Sequence, residues 1–145
     1  MDFKIDETDY KFNSEGSSGG LFADMAASFR MPIYSEGKVM GMSAYGHHNQ
    51  GYVEEEELLS QADKSLRLQN KTFNDTIELI KHAITYSDCK NIVLSGGYAL
   101  NCVNNYRYLD KFPEHNFFVD PNPGDNGTST GAAIWLYHYL KAGGF

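Results

Sequence analysis

The sequence predicts an α/β fold, and three observations carry that prediction. Short β-rich runs alternate with helical patterns in the second half of the chain. Each β-rich run stops at a glycine- or proline-rich turn before the next helix, and the first half places apolar residues at helical spacing. The chain has 145 residues, 41% of them hydrophobic and 21% charged, which suits a domain with one core and argues against wholesale disorder.

Taken in order, residues 1–18 read as a flexible N-terminal segment, with a short strand near Phe3 to Ile5; serine and glycine dominate from Ser14 to Gly20. Residues 19–145 read as one packed unit. Leu21, Phe22, Met25, Ala26 and Phe29 form an apolar helical stripe that Pro32 closes. Three glycines between Ser35 and Gly46 are expected to interrupt regular structure and give an irregular segment lining a site. Glu54 to Glu57, followed by Leu58 and Leu59, look like the solvated start of a helix. Thr72 with Asp75 fits a capping box, so a helix is expected from Phe73 to Tyr86 with Phe73, Ile77, Ile80 and Ile84 on its apolar face. A strand then runs from Asn91 to Ser95 into Gly96-Gly97, and a helix from Ala99 to Leu109. Asn116 to Val119 forms a second strand, Pro121, Pro123 and Gly124 break the chain, and a last helix runs from Gly127 to Lys141 before Gly143 and Gly144. No internal repeat is present.

A formal net charge of −7 repels phosphate backbones and anionic lipid surfaces, which excludes simple electrostatic binding of nucleic acid or membrane. No apolar run is long enough to cross a bilayer, and the acidic stretch from Met1 to Asp9 lacks the pattern of a secretory leader. A cytoplasmic protein is expected, with Cys89 and Cys102 as reduced, buried thiols.

Two strand-to-helix turns are the places for chemistry. At Gly96-Gly97 the backbone N–H groups are open to a ligand, although a tight connection between packed elements needs the same residues. From Pro121 to Gly127 the turn sets the carboxylate of Asp125 at the start of a helix, where it either ligates or caps.

Three ordered stretches carry a family resemblance: Glu36-Gly37-Lys38-Val39-Met40-Gly41-Met42-Ser43-Ala44-Tyr45-Gly46; Leu94-Ser95-Gly96-Gly97-Tyr98-Ala99-Leu100-Asn101-Cys102 with Asn105; and Pro121-Asn122-Pro123-Gly124-Asp125-Asn126-Gly127 with Gly131-Ala132-Ala133. They resemble successive signatures of the O-carbamoyltransferases of nodulation-factor and antibiotic tailoring. The resemblance covers nearly everything from Gly19 to about Lys141, including Gln69 and Gly20-Leu21-Phe22. It implies a partial actin-like subdomain of the ribonuclease H-like class, related to the tRNA threonylcarbamoyl transferases, with short strands and several packed helices. In that family ATP and carbamoyl phosphate give carbamoyl-adenylate in a separate domain, and the actin-like domain passes the carbamoyl group to an acceptor hydroxyl. Carried over residue by residue, Asp125 matches a ligand of a divalent metal, iron or similar. Lys38 matches a phosphate-facing cation, Glu36 a ribose acceptor, and Gly96, Gly97 and Asn101 the nucleotide-facing turn and helix, with Asn126 beside them. In the complete enzyme these residues are expected to face ATP or carbamoyl-adenylate.

The departures are specific. The family's His-x-x-x-His pair is missing: His47 and His48 are adjacent, and His82, His115 and His138 stand alone as surface or helix-face residues. One carboxylate does not make a metal site. The resemblance therefore implies half an enzyme that needs a complementary carbamoyltransferase chain or domain carrying His-x-x-x-His, with a small-molecule hydroxyl acceptor and inactivity of the chain alone. A homodimer is the other arrangement open to the exposed site face. The competing reading is a non-catalytic nucleotide-binding or interaction module on the same fold.

Overall fold

The computed structural model describes residues 17–47 and 59–144. The expected strand at Phe3 to Ile5, the expected flexibility of residues 1–16 and the helix start at Glu54 to Leu58 lie outside the described residues. The described elements run α1 (Ser18–Ser28), α2 (Glu36–Met42) with a 3₁₀ turn at Ser43–Tyr45, and α3 (Gln61–Ala83). Then come β1 (Asn91–Leu94), a 3₁₀ turn at Gly97–Leu100, α4 (Cys102–Lys111), β2 (Asn116–Val119) and α5 (Gly127–Lys141). The α/β class holds: β1 and β2 pair in parallel, Asn91 opposite Asn116 through Leu94 opposite Val119.

Helix α1 begins at Ser18, the last residue of the segment expected to be flexible, and takes in Gly19 and Gly20. The Ser17 side chain caps it by accepting the Gly20 N–H at 3.1 Å. Its stripe is as expected, with Phe22 and Ala26 buried and Leu21, Met25 and Phe29 packed around them. Termination comes before Pro32, through a Schellman arrangement in which the N–H groups of Arg30 and Met31 donate to the carbonyls of Ala27 and Ala26, both at 2.9 Å. Arg30 takes the left-handed position with φ 57°.

The glycine-bearing segment is a correction. Residues 36–42 are helical, because glycine lowers helix propensity by only about 1 kcal/mol and burial of Val39 against Phe22, Ala26 and Leu68 outweighs it. A second correction concerns α3, which begins twelve residues before the expected helix. The capping box is Ser60 with Asp63: the Ser60 hydroxyl accepts the Asp63 N–H at 3.1 Å and donates to the Asp63 carboxylate. Thr72 is buried inside the helix with its hydroxyl turned back to the carbonyls of Leu68 and Gln69 at 3.0 and 3.2 Å, and Asp75 pairs with Lys71 at 2.7 Å. Threonine followed by an acid three residues on does not by itself mark a helix start.

Helix α3 carries two apolar clusters. Leu68 belongs to the cluster of α1 and α2; Ile77 and Ile80 join Tyr108 of α4 and Phe112 just after it, with Phe73, Ile84, Ile92, Leu94 and Phe117 packed around them. Ile92, Leu94, Phe117 and Val119 are thus the covered residues of the strand pair, while Val93 and Phe118 alternate to the exposed side. The last helix is unusual. It lies where expected, yet no residue of α5 is buried, and Ile134, Trp135, Leu136, Tyr137 and Leu140 are all exposed. A helix apolar on every side is the kind that other protein covers. The cysteines are also corrected: Cys89 and Cys102 are free but exposed, Cys102 being the first residue of α4 rather than a core position.

Candidate functional site

The two strand-to-helix turns lie side by side. The Gly96 N–H donates to the Pro123 carbonyl at 2.8 Å, which joins the end of β1 to the turn after β2. Gly96 has φ 94° and ψ 163°, a backbone that a residue with a Cβ avoids, so the geometry requires glycine there. The carbonyl of Gly96 accepts the Ala99 N–H at 3.0 Å, closing the 3₁₀ turn, and the Asn105 side-chain amide holds the far end through the Ala99 carbonyl at 2.7 Å. The Gly96-Gly97 turn is therefore a platform tied down at both ends.

This platform forms part of a cavity of about 930 Å³, within the size range of small-molecule sites. The opposing contributors are the N-terminus of α1 at Ser17 to Gly20, and Tyr34, Glu36, Gly37 and Met40 at and before α2. Leu79 and Thr76 of α3, Leu94 at the end of β1, Tyr108 of α4 and Asp125 also line it. Segments almost ninety residues apart in sequence thus share one concavity, for Glu36 and Asp125 both line it. Chemically it combines an apolar wall, backbone N–H groups and two carboxylates.

Of the predicted site residues, Glu36, Gly96, Gly97 and Asp125 line the cavity; Lys38, Asn101 and Asn126 are not among its lining residues. Lys38 is exposed. Asn101 is 1% exposed and occupied elsewhere: its amide accepts from Gln69 Nε2 at 2.8 Å, donates to Gln69 Oε1 at 3.1 Å and caps α4 by accepting the Asn104 N–H at 3.3 Å. Asn126 holds the cap position of α5 without a side-chain cap bond. Capping by Asp125 is likewise corrected, since only its backbone carbonyl engages the helix, accepting from the Thr128 N–H at 3.2 Å and from the Thr128 hydroxyl at 2.6 Å.

Behind the cavity, a buried polar group steadies α4. Asn104 Nδ2 donates to the Tyr98 hydroxyl at 2.8 Å and to the Gln69 carbonyl at 3.1 Å, and the Tyr98 and Tyr108 hydroxyls lie 3.4 Å apart. Burial pushes the Tyr108 phenol well above its ordinary value, so it stays a neutral hydrogen-bonding group on the cavity wall. Arg107 covers the Phe73 ring at 3.6 Å and donates to Asn70 and Asn104.

Sequence reasoning missed Ser17, Tyr34, Thr76, Leu79 and Tyr108. They come from the start of α1, the turn before α2, α3 and α4, and only the packing of these helices brings them to the cavity. Among the described residues no group of three or more His, Cys, Asp or Glu side chains could hold a metal ion. Asp125 alone does not fit one, and a metal there needs donors from beyond the described residues. No described helix is long and apolar enough to cross a membrane.

The fold and this cavity define an α/β protein whose glycine-bearing strand-to-helix turn opens on a cleft. Residues 68–134 match the family model for the carbamoyltransferase N-terminus, a stretch containing both strand-to-helix turns. An uncharacterized protein of Synechocystis sp. is 43% identical over 53 residues, covering 36% of this chain and 9% of that protein. The matched stretch is thus less than a tenth of the relative's length. No solved structure matches the chain.

Proposed function

We propose that this chain supplies one wall of the nucleotide cleft of an O-carbamoyltransferase, in a partial actin-like subdomain. The observation that carries the reading is the shared cavity: Glu36, Gly96, Gly97 and Asp125, drawn from three motif stretches, line one concavity, and the family match covers two of those stretches. In the proposed cleft the Gly97 region offers backbone N–H groups to an anionic or polar edge of ATP or carbamoyl-adenylate, and Glu36 accepts from a ribose hydroxyl. The group transferred is the carbamoyl of carbamoyl-adenylate, passing to an acceptor hydroxyl with adenylate as the leaving group. Asp125 would join a divalent metal only together with the histidines of a complementary chain or domain.

The exposed apolar helix α5 and the exposed Val93 and Phe118 side of the strand pair support the need for that complement. The chain is incubated with ATP, carbamoyl phosphate, iron(II) and sugar or nucleoside acceptors, alone and with a chain bearing His-x-x-x-His, and carbamoylated product is sought by mass spectrometry. The reading expects product only from the mixture. Turnover by this chain alone refutes the half-enzyme reading, and no product from either arm speaks for the non-catalytic nucleotide-binding or interaction module.

A further inference from the structure

Tyr34 breaks two rules at once. It has φ 63° in the turn before α2, a left-handed backbone that costs a residue with a Cβ about 1–2 kcal/mol and that glycine or asparagine would occupy more readily. Its side chain is 88% exposed, so packing within the described chain returns little for that strain. Among the described residues the other left-handed one that is not glycine, Arg30, is explained by the Schellman arrangement ending α1. No such closure explains Tyr34. Strain at a side chain that buries almost nothing points toward a ligand rather than toward the core.

Its position gives the strain a use. Tyr34 lines the same cavity as Glu36, Gly37 and Met40. The chain just after Tyr34 is anchored: Ser35 is 2% exposed and its carbonyl accepts the N–H groups of Lys38 and Val39 at 2.9 and 3.2 Å, and Val39 is fully buried in the first apolar cluster. An aromatic ring is therefore held out over an open cavity on a rigid base, two residues from the carboxylate assigned to the ribose. We infer that Tyr34 is the stacking platform for the nucleobase of the bound nucleotide. The assignment rests on the nucleotide reading of the cleft. Every base presents a π-face, so Tyr34 confers affinity for a base without choosing among bases.

The test titrates the full chain and its variants with AMP and with ribose 5-phosphate by isothermal calorimetry. Tyr34→Ala is expected to weaken AMP binding about tenfold, within the range of one base stacked on one aromatic ring, and to leave ribose 5-phosphate unchanged. Tyr34→Phe keeps the ring and should keep AMP affinity within about twofold. Tyr34→Gly should lose AMP affinity like the alanine variant while melting no lower than the parent chain, because glycine relieves the backbone. AMP binding by the parent that is unchanged in Tyr34→Ala overturns this inference alone. A parent chain that binds neither compound overturns it together with the nucleotide reading.

Discussion

Replacing Asn101 by alanine separates a ligand-binding asparagine from a structural one, and the geometry assigns it the structural part. The substitution removes the cap at the start of α4, where the side chain accepts the Asn104 N–H, at a typical cost of about 1 kcal/mol. It also strips both side-chain partners from Gln69, which is 2% exposed and cannot turn to water. A buried amide left unpaired costs about 1–3 kcal/mol. The sum is a destabilisation of about 2–4 kcal/mol, large against the total stability of a domain this size. Urea denaturation followed by circular dichroism reads it as a lower midpoint at unchanged slope. Gln69→Ala should fall in the same range, and the double variant should lose clearly less than the two single losses added, because each single change orphans the other amide. If Asn101→Ala stays within about 0.5 kcal/mol of the parent, the paired-amide account is wrong and the residue is free for a ligand.

Three further outcomes follow from the same geometry. Gly96→Ala should cost about 1–3 kcal/mol in thermal or urea melts because of its φ of 94°, whereas Gly97→Ala, whose added Cβ meets nothing within 4 Å, should fold normally yet bind AMP several-fold more weakly; equal stability losses in the two would remove the distinction. Arg30→Gly should raise stability by about 1 kcal/mol by relieving the left-handed position after α1, and a lower melting temperature would mean the arginine side chain contributes more than the backbone strain takes away. The Ser60 hydroxyl, the His47 N–H and the His47 ring hold the Asp63 carboxyl at about 2, below the usual aspartate value. Because the folded value is the lower one, its contribution is complete above about pH 4 and is lost as pH falls toward 2, so Asp63→Asn should flatten the stability profile in that window; an unchanged profile would contradict the capping geometry.

What was legible in the sequence follows from the range of the signals. The strands at Asn91 and Asn116, the turn glycines and the span of α5 were readable because β-branched or aromatic runs ending in glycine or proline act locally. Helix α2 was misread because its stability comes from Val39 packing on Phe22 and Leu68, a contact no local pattern shows. The start of α3 was misplaced because two Ser/Thr-x-x-Asp sequences, at Ser60 and Thr72, lie on the same helix, and only the contact of Asp63 with the His47 loop distinguishes the real cap. Gly96, Gly97 and Asp125, which line the cavity, could be singled out in the sequence because they sit in motifs. Asn101 was given to the ligand because its partner, Gln69, lies 32 residues away and is brought opposite it only when α3 and α4 pack. Tyr34 escaped notice because its φ leaves no mark in composition.

The central claim is that a nucleotide sits against the Gly96–Gly97 platform, and backbone amide NMR tests it most directly. With assigned ¹⁵N-labelled chain titrated with ATP, the account predicts saturable shifts of the Gly96, Gly97 and Glu36 amides and of Tyr34, with α5 amides such as that of Trp135 unmoved. Saturable shifts confined to residues outside the cavity, or none at millimolar ATP, would contradict it.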